Sequence, residues 1–258
     1  MDRPEHLHKY RSLDGDNMKF VRQSLISKTL WLSNPAAFND PFDCAPYLDV
    51  TWDHQARVET AVRIANGRSQ GLPRWQRRKE LRTVTTNVSR LGVLDREDVQ
   101  RVASDVLSDI RNNMGVLSLS GDPVNVLMWS HYARSHTGVL LTFRTDQGDL
   151  ISEAQRVLYA RERPVVDVVG ERASAMQKTL LHKADYWEYE LEWRVIRPGR
   201  PRAHAFNPAS LEAIIFGART TDEDKQAVKQ AAEIGGLKPR YAQALFDDRI
   251  FELHLIPE

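Results

Sequence analysis

Short apolar runs with two-residue alternation recur through most of the chain, and one long stretch breaks the pattern. Residues 7–11 and 29–33 read as strands, and between them Phe20, Val21, Leu25 and Ile26 fall at helical spacing. Strands are expected again at 115–120, 138–143, 156–160, 190–197, 211–216, 240–245 and 251–256. Helices are expected around 171–184 and 222–234, the second stopped by Gly235-Gly236. The intervening residues 53–113 are rich in Arg, Lys and Asp and nearly lack β-branched runs. Their clearest helix is 96–113, with Asp95 as N-cap and Val99, Val102, Val106, Ile110 and Met114 on one stripe. Strands that follow one another without helices argue against a doubly wound sheet. The chain therefore reads as a single α+β domain over 1–258. Its sheet is mostly antiparallel, twisted or split, with packed helices and a helical insertion at 53–113 that adds no strand.

Composition narrows the classes. The 258 residues carry a formal net charge of +1 with 28% charged side chains, which is not a chain-wide nucleic-acid signature. Cys44 is the single cysteine, so an intrachain disulfide and a thiolate zinc cluster are excluded and a cytoplasmic setting is expected. The charged start Met1-Asp2-Arg3-Pro4-Glu5-His6 has no apolar segment of signal-peptide type, and no run reaches the roughly 18 apolar residues of a membrane span. The histidines show neither His-x3-His nor His-Glu-x-x-His spacing, so no metal site is expected. Gly115, Gly121 and Gly138 are not in P-loop or dinucleotide spacing.

The densest chemistry lies in Met128-Trp129-Ser130-His131-Tyr132-Ala133, with His136 and Gly138 behind it, just upstream of a predicted strand. Two imidazoles near Lys9 or Arg134 suit general acid–base cleavage of a phosphodiester, as in a metal-independent ribonuclease toxin. Equally, His131 hydrogen-bonds inside the fold and His136 caps a turn. Alternation in Glu190-Leu191-Glu192 puts two carboxylates on one strand face, where repulsion raises one pKa and makes it a proton carrier. Tyr189, Leu191 and Trp193 would then face the core. An acidic, solvent-facing strand side has the same pattern. In Phe38-Asn39-Asp40-Pro41-Phe42-Asp43 the Asn and Asp side chains either close turns, with both Phe residues anchored in the core, or reach a ribose or cation. The basic run Arg74-Trp75-Gln76-Arg77-Arg78-Lys79, with Arg82, is either a solvated helix face or a nucleic-acid surface.

Taken in order, Lys9-Tyr10-Arg11, the Phe38 to Asp43 block, Ser118-Leu119-Ser120, the Met128 block and Trp187-Glu188-Tyr189-Glu190-Leu191-Glu192-Trp193-Arg194 resemble a widespread bacterial family of unknown function. Some of its relatives are linked to phage defence. The order Arg11, Ser118-x-Ser120, Glu190-x-Glu192 is also similar to a broad class of mono-ADP-ribosyltransferases. That resemblance implies NAD as substrate. Arg11 would hold its phosphates, Ser118 would shape the pocket and Glu192 would steady the oxocarbenium-like ribose. Glu190 would serve a protein or nucleic-acid acceptor.

The expected pocket comprises Lys9, Arg11, Asn39, Asp40, Ser118, Ser120, Ser130, His131, Tyr132, Glu190, Glu192 and Arg194. Glu192, Glu190 and His131 would be the catalytic groups, acting on a nucleotide-type small molecule by ADP-ribosyl transfer or NAD hydrolysis. The alternatives are the ribonuclease and a binding module without activity. On this reading Glu192→Gln removes activity at little cost in stability.

Overall fold

A computed structural model describes residues 3–48, 71–91, 104–105, 107–166 and 172–258. Its strands are β1 (His6–Arg11), β2 (Thr29–Leu32), β3 (Tyr47–Leu48), β4 (Met114–Ser120), β5 (Val139–Arg144), β6 (Gln155–Arg156) and β7 (Leu158–Ala160), followed by β8 (Val165–Val166), β9 (His182–Ala184), β10 (Glu192–Pro198), β11 (Arg202–Ala205), β12 (Leu211–Phe216), β13 (Arg240–Phe246) and β14 (Leu253–Pro257). The α-helices are α1 (Asp16–Ser27), α2 (Arg74–Leu91), α3 (Val126–Tyr132), α4 (Arg172–Leu180) and α5 (Asp222–Ile234). The chain forms two compact units, one from residues 1–34, 114–159 and 185–258, the other from 35–113 and 160–184. Among the described residues no helix is long and apolar enough to cross a membrane.

The first unit is an α+β layer structure around an eight-stranded sheet of order β14-β13-β12-β5-β1-β4-β10-β6. Its pairs are antiparallel except β12–β13, which runs parallel because α5 carries the chain back across the sheet. β1 zips along β5 from His6–Arg144 to Arg11–Val139, yet it meets β4 in register at one pair, His8–Ser120. Past that pair the two strands part, and Ser33 bridges Val116 on β4 instead. This parting lies beside the polar blocks.

Each sheet face has its own core. Leu7, Leu117, Val139, Leu141, Phe143, Val195, Ile214 and Phe216 pack with Val21 and Leu25 of α1 and Val228, Ala231 and Ala232 of α5. Phe20 and Ile26, placed on the apolar stripe of α1 by spacing, are exposed. The other face is covered by α3, whose Met128 and Trp129 pack with Tyr10, Leu140, Ile215, Ala244 and Leu253. Asn125 starts α3 by accepting from the Leu127 and Met128 amides, and three successive left-handed residues, Arg134, Ser135 and His136, end it. Gly138 follows because a Cβ there would collide with the Arg11 carbonyl and lie 2.9 Å from Ala133.

In the second unit, β3 and β8 pair in parallel, residues 74–91 form α2, and residues 107–112 are helical with Ile110 buried. Asp95, Val99, Val102 and Val106 lie outside the described residues. The Asp40 carboxylate accepts from the Phe42 amide at 2.8 Å, which is the expected turn closure. Phe42 is not a core anchor: it is exposed, with the Arg163 guanidinium 4.7 Å over its ring. Asp43 is buried instead, 3.9 Å from the Lys183 ammonium.

Candidate functional site

Polar side chains gather in the first unit where β1 and β4 separate. The Lys9 ammonium donates to the Ser118 carbonyl at 2.7 Å, a group left without a β1 partner by the split. Burial pushes the Lys9 pKa down to about 7, reinforced by the neighbouring Arg11 and opposed by Glu192 and Glu190. Burial also lowers Arg11. No carboxylate pairs with that guanidinium among the described residues, although both cations are half-buried. Placing the Arg11 guanidinium beside Lys9 without a counter-charge of its own is costly, an arrangement that a bound anion would relieve.

The carboxylates reach this place by a route that strand alternation does not describe. β10 starts at Glu192, not at residue 190. Glu190 ends a 3₁₀ segment, Asp185–Glu190, and Leu191 has φ 43°. Two bonds fix the kink: the Ser120 hydroxyl donates to the Glu190 carbonyl at 2.7 Å, and the Gly121 amide donates to the Leu191 carbonyl at 3.0 Å. The kink turns Leu191 out to solvent rather than into the core, while Glu190 and Glu192 are each 3% exposed. Both carboxylates are therefore inside, and an acidic solvent-facing strand is ruled out.

Their partners differ. Glu192 takes both sides of a fork from Arg194, Nε to Oε1 at 2.7 Å and Nη2 to Oε2 at 2.9 Å, and Arg194 is 0% exposed. The Glu192 amide donates to the Tyr159 hydroxyl at 2.7 Å. Ser120 is the cross-strand partner of Glu192. Glu190 Oε1 accepts from the Tyr132 hydroxyl at 2.7 Å. Burial and the carboxylates push the Tyr132 and Tyr159 phenols up, so both remain protonated. Asn125 ties this segment to α3 by donating to the Tyr189 carbonyl at 2.9 Å.

Of the predicted residues, Lys9, Arg11, Ser118, Ser120, Tyr132, Glu190, Glu192 and Arg194 thus meet by bonds, register or charge. His131 does not: it is exposed on α3, and no bond among the described residues links it to the cluster. Ser130 bonds back into its own helix, donating to the Val126 carbonyl at 2.8 Å. His136 turns inward instead, 3.2 Å from the Ser130 hydroxyl and stacked on Trp129, so the two imidazoles are not a pair. Asn39 and Asp40 belong to the second unit, where Asn39 is exposed. Tyr159 is the member that sequence reasoning missed, because Leu158-Tyr159-Ala160 reads as an ordinary strand. Among the described residues no group of three or more metal-ligating side chains is suited to a metal ion.

The Met128 and Glu190 blocks therefore bracket the segment that supplies Tyr132, Tyr159, Glu190, Glu192 and Arg194. A DUF2971 domain, described as a protein of unknown function, spans residues 128–195. The DUF2971 segment runs from Met128 of α3 to Val195 of β10. Lys9, Arg11, Ser118 and Ser120 lie before it. No curated protein and no solved structure matches the chain.

Proposed function

We propose that the first unit binds a nucleotide-type anion at Lys9 and Arg11 and consumes it, with NAD hydrolysis or ADP-ribosyl transfer as the concrete reaction. The observation that carries this reading is Arg11, a half-buried guanidinium beside Lys9 with no carboxylate partner among the described residues, while Lys9 in turn faces the buried Glu190 and Glu192. Phosphate oxygens fit such a fork. In the reaction, the bond from ribose C1′ to the nicotinamide nitrogen breaks and its electron pair leaves with neutral nicotinamide. Water or an acceptor nucleophile then bonds to C1′ and gives up its proton to a carboxylate.

The resemblance gave the charge-stabilising role to Glu192. The pairing favours a different division of labour. Both Glu192 oxygens are engaged by Arg194, so Glu192 is a positioning residue. Glu190, oriented by Tyr132 and facing the charge of Lys9, is assigned to stabilise the cationic ribose and to take the proton.

The test is nicotinamide release from NAD by purified protein, with RNA integrity followed in parallel. Wild type should release nicotinamide. Glu190→Gln should lower kcat by about 10² or more, Arg11→Met should raise KM, and His131→Ala should change neither. No release from NAD together with cleavage of RNA would overturn the NAD reading in favour of the ribonuclease. No turnover of either, and no NAD-induced rise in Tm, would leave a binding module.

A further inference from the structure

The charge of this chain is nearly balanced, but that of α2 is not. Residues 74–82 carry Arg74, Arg77, Arg78, Lys79 and Arg82 against the single acid Glu80, within a chain of net charge +1. α2 covers them from its first residue, and there is no acidic residue in its first turn. At 3.6 residues per turn, Arg74, Arg78 and Arg82 stack at i, i+4 and i+8. Trp75 and Lys79 continue the same arc. Arg74, Trp75, Arg78, Lys79 and Arg82 are all exposed, the indole at 65%.

This arrangement works against the helix that carries it. Like charges at i, i+4 repel, and cations at a helix N-terminus oppose its dipole. An exposed indole gains nothing from the core. Both features become favourable against a polyanion with flat apolar faces that reach a side chain. Guanidiniums neutralise phosphates and release their counterions, while an indole stacks on an unpaired base. A duplex hides its bases from such a stack, and an anionic membrane has none.

We infer that the Arg74–Arg78–Arg82 stripe with Trp75 is a binding surface for single-stranded polynucleotide, a function separate from the Lys9–Glu190 cluster. The stripe recognises backbone phosphate, and Trp75 selects single strand over duplex.

The experiment is fluorescence anisotropy of the full-length protein with labelled single-stranded RNA, single-stranded DNA and duplex of one length, across a salt series. Either single strand should bind more tightly than duplex. The logarithm of Kd should rise with the logarithm of salt with a slope of about 2, as three phosphates at about 0.7 each require. Arg74→Glu/Arg78→Glu/Arg82→Glu should abolish binding. Its folding is not at risk from the helix end, since acids suit the first turn, and unchanged circular dichroism verifies this. Trp75→Ala should weaken single-strand binding by about tenfold or more, with Trp75→Phe restoring most of it. Equal binding of duplex and single strand, or full affinity in Trp75→Ala, would overturn the proposal. So would binding to phosphatidylserine vesicles with none to RNA or DNA.

Discussion

At the residue scale, the Glu192–Arg194 pair decides how the site can be probed. The sequence treats Glu192 as an accessible carboxylate whose conversion to Gln costs little. Buried as it is, the change removes the charged half of the fork on the fully enclosed Arg194 guanidinium. Glu192→Gln is therefore expected to destabilise the protein by about 3–5 kcal/mol in urea unfolding. Adding Arg194→Met should recover much of the loss, because replacing both members of a buried pair is far cheaper than removing one. A Glu192→Gln variant of wild-type stability would show that the fork contributes nothing. Loss of activity in that variant thus says nothing about catalysis unless stability is matched. Tyr132→Phe is the cleaner probe. It removes one hydroxyl from Glu190, should cost about 1.5–3 kcal/mol, less than Glu192→Gln, and should lower kcat at matched stability if the proposed role of Glu190 holds.

At the element scale, the Met128 block turns out to be largely architecture. Trp129 is fully buried, edge-on to Tyr10 at 5.2 Å, and its Nε1 donates to the Pro123 carbonyl at 2.9 Å. Of the block's chemistry-bearing side chains, Tyr132 alone reaches the cluster, through Glu190. Gly138 locks the end of the α3 turn onto β1, since the obstacles to a side chain there, the Arg11 carbonyl and the Cα and Cβ of Ala133, cannot rotate away. Gly138→Ala should cost about 3 kcal/mol or more. Gly148→Ala is the contrast: φ is 64° and nothing lies within 4 Å of a new Cβ. It should cost only the left-handed penalty of about 1–2 kcal/mol. Equal Tm losses for the two would remove the packing argument for Gly138.

At the scale of the whole molecule, two bases held below their ordinary values shape stability against pH. Burial, with His6 nearby, lowers His8 to about 4, and Lys9 is lowered to about 7. In each case the folded protein binds the proton less readily than the unfolded chain, so stability rises with pH between the folded and unfolded pKa values. The windows are about 4 to 6.5 for His8 and about 7 to 10.5 for Lys9. Lys9→Met should flatten the upper rise and His8→Asn the lower one, read as urea midpoints across pH. An upper rise that survives in Lys9→Met would mean that Lys9 is not the desolvated group.

What the sequence determined by itself is local. Alternation and helical spacing placed most strands within a residue or two, the helices at 16–27 and 222–234, and the mostly antiparallel α+β class, because side-chain periodicity follows directly from backbone geometry. The pairing of Ser120 with Glu192, 72 positions apart, was foreshadowed only as the order of two short motifs. Tertiary structure decided the rest. A side-chain bond from Ser120, distant in sequence, bends the chain at Leu191 and buries both glutamates. Arg194 occupies Glu192, and α3 turns Tyr132 inward while leaving His131 outside. None of these follows from periodicity, because a positive φ at a leucine or the loss of solvent around a lysine is imposed by contacts that residues far along the chain supply.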